Sequence, residues 1–291
     1  MNDQELERLV RRVMEELNAQ PAPSLANGTA AATMIPAGEL LPDIGAIDLR
    51  REYLVEHPHD GEAFLAMKLR TPARVGVGHA GARHRTETML RFQADHAAAQ
   101  DAVFSDVPEE LLRALSLPAY QTTCQSRDEF LTRPDKGRVF AQETLQTIRQ
   151  AVPEHTTVLL YMADGLSSSA VCANAADILP VICEGLRGYG ISCNDPFFVK
   201  YGRVGTMDAL GDVIAADVVC LLVGERPGLV TADSMSAYIA YRPRSGMQES
   251  RRTVLANIHA GGTPCVEAGA HIVDLIRLIL EKKISGIELS I

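Results

Sequence analysis

Residues 218–228, VVCLLVGERPG, join an apolar run to a cluster of polar and turn-forming residues. The first six residues are typical of a buried strand, and the run then ends abruptly in Glu225, Arg226 and Pro227. Burying an ionised group is costly unless the group is paired or binds something. Glu225 therefore either leaves the sheet for solvent or points towards a ligand.

Strand-like and helix-like segments alternate on both sides of this run. We predict strands at 157–163, 196–201, 217–223 and 235–241. We predict helices at 167–186, 207–216 and 266–283, and earlier ones at 86–103, 108–117 and 142–151. The alternation indicates a parallel sheet with helices on both faces. The predicted fold class is α/β, with a Rossmann-like three-layer C-terminal domain preceded by a mainly helical region.

Four parts make up the predicted domain organisation. Residues 1–20 form an amphipathic helix, 21–42 a flexible linker, 43–152 the helical region and 153–291 the Rossmann-like domain. The first helix places its apolar side chains on one face: Leu6, Leu9, Val10, Val13, Met14 and Leu17. Because so short a helix is marginal alone in water, it needs a partner. That partner is either its own domain or a separate protein, and the linker favours the second.

Composition argues against several broad classes of function. The formal net charge of −9 disfavours general attraction to nucleic acid or anionic membranes. No apolar run approaches the roughly 18 residues that span a bilayer. The six cysteines lie far apart without a CxxC pair, which favours a reducing compartment. We therefore expect a soluble intracellular protein that contacts neither nucleic acid nor membrane.

Three loops follow predicted strands, at the edge where parallel sheets bind ligands. They are residues 164–169 (DGLSSS), 201–205 (YGRVG) and 224–228 (GERPG). Their glycines allow close approach of a ligand, although three ordinary turns are the alternative. In the first loop a serine helix cap is favoured over a nucleophile, because a nucleophile elbow needs glycine where Ser169 stands. We predict no catalytic residue and no metal ligand.

Several motifs, in collinear order, resemble the small (light) chain of ethanolamine ammonia-lyase. They are RHRTE (83–87), LTRPDKGR (131–138), PFFVKYGRV (196–204), LLVGERPGL (221–229) and GGTP (261–264). The resemblance extends over about residues 65–287. Its LTRPDKGR and VGERPGL runs are highly specific together.

The resemblance implies a subunit of an adenosylcobalamin-dependent lyase that converts ethanolamine into acetaldehyde and ammonia. Radical chemistry would take place in a separate large subunit, within an assembly of six large and six small chains. The small chain would complete the cobalamin site at the interface, through Val204, Glu225 and Val254. The cofactor would stay base-on. Residues 257–262 (NIHAGG) agree with this, because they lack the leading aspartate of the D-x-H-x-x-G motif, in which a histidine replaces the lower base.

The resemblance also implies a location in the bacterial cytoplasm, inside a bacterial microcompartment. Residues 1–20 would then bind a shell protein. Two alternatives from other functional classes stay open. One is a stand-alone Rossmann-type serine hydrolase that uses Ser167 or Ser169, and the other is a non-catalytic microcompartment adaptor.

Overall fold

A computed structural model describes residues 43–290 of the chain. The predicted amphipathic helix at 1–20 and linker at 21–42 lie outside the described residues. The described chain divides into two compact units, one ending at Arg91 and the other beginning at Phe92. The residues that line the candidate site all belong to the second unit.

The described part of the first unit contains one short α-helix, a two-stranded antiparallel ladder and 3₁₀ helices at Ile44–Ala46 and Leu49–Arg51. Helix α1 (Gly61–Lys68) is capped by Asp60, whose carboxylate accepts from the N–H of Ala63 at 3.0 Å. The ladder pairs β1 (His79–Ala80) with β2 (Arg83–His84). Helix α2 (Thr86–Phe104) begins in this unit and continues into the second.

The second unit is built on a six-stranded sheet. Its strands are β3 (Ala119–Gln121), β4 (Val158–Ala163), β5 (Phe197–Lys200), β6 (Val218–Gly224), β7 (Met235–Tyr241) and β8 (Thr253–Ile258). Its helices are α3 (Glu109–Ala114), α4 (Arg127–Thr132), α5 (Gln142–Ala151), α6 (Ser168–Gly188), α7 (Thr206–Gly211) and α8 (Cys265–Lys282). Short 3₁₀ helices of this unit lie at Lys136–Arg138, Glu249–Arg251 and Gly286–Glu288. The strand order is β3-β5-β4-β6-β7-β8.

Strands β4 and β6 lie at the centre of the sheet and are buried along their whole length. Alternate side chains point to opposite faces, as the period of two requires. Leu160 and Leu222 pack with α6 and α8, whereas Leu159 and Leu221 pack with α5 and α7. Because both faces are covered by helices, these strands are apolar at every position rather than at every second one.

The predicted α/β class and a mostly parallel sheet are confirmed. Strands β3, β5, β4 and β6 are parallel, and the bounds of α5 are the predicted ones. The expectation of a parallel sheet was wrong for β7, which is antiparallel to β6 and to β8. Residues 225–234 join β6 to β7 without a crossover helix, and this direct return makes the pair antiparallel.

Helix α6 is the described helix whose length and composition would allow it to cross a membrane. It has 21 residues, but its buried face carries Ile178 and Ile182, which are fully buried against the sheet and α8. Its apolar composition is therefore that of a core helix between sheet and solvent.

Gly224, the last residue of β6, predicts a measurable stability effect. A Cβ atom there would lie 2.2 Å from the carbonyl oxygen of Ser167 and 2.5 Å from that of Asp164. Since both oxygens belong to backbone, Gly224→Ala must displace the loop after β4. We expect the free energy of unfolding to fall by about 1–3 kcal/mol in urea denaturation.

Gly188→Ala is the matched control for this substitution. Nothing lies within 4 Å of the Cβ position at Gly188, the last residue of α6. Alanine there should leave the free energy of unfolding unchanged or raise it by up to about 1 kcal/mol. Equal free energies for the two variants would contradict the proposed close packing at Gly224.

Candidate functional site

An open cleft of about 450 Å³ lies at the carboxyl edge of the central strands. Loops that follow β4, β5 and β6 form one side of it, so the three loops singled out in the sequence meet at one place. Their lining residues are Gly165, Leu166, Gly202, Arg203, Val204, Gly224, Glu225 and Arg226. This is the edge at which parallel sheets bind ligands.

The other side of the cleft comes from α4, β7 and β8. Its lining residues are Phe130, Ser236, Tyr238, Val254 and Ala256. Tyr238 and Val254 are direct partners across the antiparallel ladder, which places their side chains on the same face of the sheet. The structure therefore brings Val204, Glu225 and Val254 to one cleft. Their role in binding a cofactor stays a prediction.

The carboxylate of Glu225 is fixed by three donors. Its Oε2 accepts from the hydroxyl of Ser234 at 2.8 Å. Its Oε1 accepts from the hydroxyl of Ser236 and from the backbone N–H of Asn257 at 2.9 Å. An ionised carboxylate has about four acceptor positions. One position, on Oε2, therefore remains for a further donor, and the half-buried side chain lines the cleft.

These three donors were not predicted. Ser234 and Ser236 flank the start of β7, and Asn257 lies near the end of β8, far from Glu225 in sequence. No spacing rule connects them, because the contact depends on the antiparallel return of β7. The one available signal is the pair of serines at alternate positions, which places both hydroxyls on one face of a strand.

Arg203 brings positive charge to the cleft wall opposite β8. One Nη donates to the carbonyl of Phe130 at 2.6 Å, and the guanidinium lies 4.4 Å from the centre of that ring. Its buried Nε has no hydrogen-bond partner among the described residues. Burial, together with nearby Arg138, lowers the pKa of Arg203. Arg226 is exposed beside Glu225, so cationic donors and a carboxylate acceptor share the site.

A buried ion pair lies beneath the cleft. Asp164 is 1% exposed, and its Oδ2 is 3.1 Å from an Nη of Arg127. Its Oδ1 accepts from the N–H of Gly202 at 3.1 Å, which ties the loop after β4 to the loop after β5. Burial raises the pKa of Asp164 to about 6, against the opposing attraction of Arg127. Arg127 in turn stacks 4.9 Å from the ring of Tyr201.

Ser167, one of the two serines of the hydrolase alternative, is a helix cap. Its hydroxyl accepts from the N–H of Ala170 at 3.0 Å and donates to the carbonyl of Ala232 at 2.5 Å. The side chain is fully buried. Both hydrogen-bonding roles of the hydroxyl therefore serve the fold, as the predicted serine cap requires.

Burial of Asp164 predicts a pH-dependent contribution to stability. The usual pKa of an aspartate is about 3.9 and the folded value is higher, so the folded state binds more protons between about pH 4 and 6. The contribution is complete below about pH 4 and is lost as pH rises through about 6. The stability of the unchanged protein relative to Asp164→Asn should fall over that range, by up to about 1.4 kcal/mol per pH unit.

Urea denaturation at pH 4, 5, 6 and 7 measures this difference in the free energy of unfolding. Asp128→Asn, at an exposed aspartate in α4, is the control for loss of a carboxylate. A difference for Asp164→Asn that stays constant over the four pH values would show that the carboxyl does not titrate in this range.

Comparison with known proteins decides the family. A family model described as "Ethanolamine ammonia-lyase light chain" matches residues 61–290. The ethanolamine ammonia-lyase small subunit of Clostridium tetani is 52% identical, over 100% of this chain and 99% of the relative. Those of Clostridioides difficile and Clostridium perfringens are 49% and 50% identical, each over 99% of this chain and 100% of the relative. The chain belongs to the ethanolamine ammonia-lyase light-chain family.

This assignment confirms the predicted resemblance. It also confirms the predicted role as a subunit of a carbon–nitrogen lyase. The shared name of the relatives, small subunit, implies a larger partner subunit. The matched range 61–290 includes every residue that lines the cleft.

Proposed function

We propose that this chain is the small subunit of an adenosylcobalamin-dependent ethanolamine ammonia-lyase, and that its cleft forms part of the cobalamin site at the interface with the large subunit. The observation that carries the proposal is the meeting of Val204, Glu225 and Val254 around one cleft. These residues come from three separate segments of the chain. The family resemblance implies a cofactor role for each of them independently of their proximity in the structure.

The chemistry of the cleft fits cobalamin, whose corrin ring is apolar and carries amide side chains. Val204 and Val254 offer apolar contact to the ring. Glu225 has an acceptor position for an amide N–H, and the exposed guanidinium of Arg226 offers donors for amide carbonyls. The corrin ring needs apolar contacts for its faces, and its amide side chains need hydrogen-bond donors and acceptors. The cleft offers all of these.

The size of the cleft supports a shared site. Pockets for drug-sized ligands measure about 300–1,000 Å³. Cobalamin is larger than such ligands, so a cleft of about 450 Å³ encloses only part of it. Val254 is 45% exposed on the cleft wall. A large subunit that covers the exposed side would complete the enclosure, within the proposed assembly of six large and six small chains.

The residues of this chain bind and orient rather than react. When bound, adenosylcobalamin supplies the radical with which the elimination of ammonia begins. Glu225 is held by Ser234, Ser236 and Asn257 before any ligand arrives, so binding to it costs little side-chain entropy. Val204 and Val254 exclude water from the face they cover. We place the radical chemistry in the large subunit.

The hydrogen bonds of His259 support a base-on cofactor. Its Nδ1 accepts from the N–H of Gly261 at 3.1 Å, and its Nε2 lies 3.0 Å from Oδ1 of Asn257. Both ring nitrogens are thus engaged within the loop. We propose that cobalamin keeps its own lower base on cobalt.

The parallel strands β5, β4 and β6, covered by helices on both faces, support a Rossmann-like description of residues 153–291. Strand β3 (Ala119–Gln121) joins this sheet from the region 43–152 that we predicted to be mainly helical. We propose the four-part organisation of the chain, with β3 as a strand that the third part contributes to the sheet of the fourth.

Glu225→Gln tests the cofactor contact. The substitution keeps the shape of the side chain and removes its charge, so a charge-assisted hydrogen bond to cobalamin is lost. We expect the binding free energy of adenosylcobalamin in the reconstituted large–small complex to weaken by about 1–3 kcal/mol. Equilibrium titration followed by the absorption of the cofactor measures it.

Glu267→Gln is the matched control, because Glu267 is an exposed carboxylate in the first turn of α8. This control should bind the cofactor with unchanged affinity. If Glu225→Gln also bound with unchanged affinity, Glu225 would be excluded as a significant contact.

We also propose that residues 1–20 direct the enzyme into a bacterial microcompartment in the cytoplasm, by binding a shell protein. The support is the sequence pattern, which predicts an apolar helix face of six side chains that needs a partner. Confinement would also retain acetaldehyde, which is volatile and reactive. Deleting residues 1–20 should abolish co-purification with the shell and leave the ammonia-lyase activity of the complex intact.

Two single substitutions make this test specific to the apolar face. Leu9→Gln should weaken co-purification with the shell, whereas Arg8→Gln, on the predicted polar face, should not. Full encapsulation of the chain without residues 1–20 would refute the proposal.

A further inference from the structure

The NIHAGG segment (257–262) begins in the last two residues of β8 and forms a closed loop there. Asn257 adopts the left-handed conformation at φ +63°. The N–H of Thr263 donates to the carbonyl of Asn257 at 2.9 Å, and the N–H of His259 donates to the carbonyl of Thr263 at 3.2 Å. The loop thus returns to its own starting residue, with His259 inside the turn.

The hydrogen bonds of the His259 ring define its tautomer. A backbone N–H can only donate, so the bond from Gly261 at 3.1 Å requires Nδ1 to be an acceptor. In the neutral ring the hydrogen then lies on Nε2, from which it is donated to Oδ1 of Asn257 at 3.0 Å. The ring therefore connects the side chain of Asn257 to the turn that follows it.

Asn257 is also the residue whose backbone N–H donates to Oε1 of Glu225, at 2.9 Å. The direction of that N–H depends on the backbone conformation of Asn257. Asparagine tolerates the left-handed region better than most residues, but the conformation remains costly without local support. The hydrogen bond from the His259 ring supports the side chain of Asn257. The hydrogen bond from the N–H of Thr263 supports the backbone carbonyl of Asn257.

Close packing leaves the loop little freedom to adopt another conformation. A Cβ atom at Gly262 would lie 2.3 Å from the carbonyl oxygen of Asn257 and 2.8 Å from Nε2 of His259. The turn therefore fits closely around both residues. His259 itself is half-buried and does not line the cleft.

We propose that His259 is a positioning residue, which holds Asn257 in the conformation from which its N–H fixes the Glu225 carboxylate in the cleft. The contacts run from His259 to Asn257 and from Asn257 to Glu225. This inference rests on the proposed function, because Glu225 is the residue that would contact cobalamin.

Substitutions at His259 test the first contact. His259→Ala removes both ring bonds, and we expect adenosylcobalamin to bind the reconstituted complex roughly 3- to 10-fold more weakly. His259→Gln keeps a donor where Nε2 lies, so it should recover most of the affinity. His271→Ala, at an exposed histidine in α8, is the matched control and should bind normally.

A double-mutant cycle tests whether His259 acts through Glu225. In the Glu225→Gln background, His259→Ala should cost less than about 2-fold, because the charge that Asn257 fixes is already gone. An equal loss in both backgrounds would overturn the inference, as would unchanged binding by His259→Ala. Unchanged binding by Glu225→Gln alone would instead refute the proposed cofactor contact on which the inference rests.

Hydrogen exchange tests the positioning without any cofactor. In the full-length chain, the amide of Asn257 should exchange faster in His259→Ala than in the unchanged protein, and His259→Gln should restore its protection. The same exchange rate in all three proteins would overturn the inference even if cofactor binding were affected.

Discussion

Strand β6 buries all seven of its residues between two layers of helices, and Glu225 is the first side chain after it. A carboxylate at that position needs donors, because leaving it unsatisfied at the edge of a core would cost stability. The antiparallel return of β7 brings Ser234 and Ser236 to it, and β8 adds the N–H of Asn257. The arrangement of β7 and β8 and the fixed carboxylate of Glu225 are thus one structural feature.

The same edge depends on close contact between loops. Gly224 approaches the carbonyls of Asp164 and Ser167 so closely that no side chain fits between them. The carboxylate of Asp164 accepts a hydrogen bond from the N–H of Gly202. The ion pair with Arg127 offsets the buried charge of that carboxylate. These contacts make the cleft a fixed surface rather than a flexible one. A fixed and incomplete cleft agrees with the proposed cofactor site, which a second chain would complete.

Much of the fold was predictable because its signals are local. The α5 helix, the strands β4 and β6 and the serine cap at Ser167 follow from periodicity and capping chemistry. Strand β3 was missed because three residues carry no periodic pattern, and β8 because it is an edge strand with mixed exposure. The site was only partly predictable. Glu225 was predictable because a charged residue ends an apolar run. Val254 was predicted from the family resemblance alone. The donors to Glu225 were not predictable because they depend on long-range contacts.

The most direct test is ethanolamine-dependent release of acetaldehyde with adenosylcobalamin, measured for the large subunit alone, this chain alone and their mixture. The central claim is that this chain completes a cofactor site that neither subunit holds by itself. It predicts activity in the mixture only. Full activity of the large subunit alone would contradict it, and so would an inactive mixture made with a large subunit that is active with another small subunit.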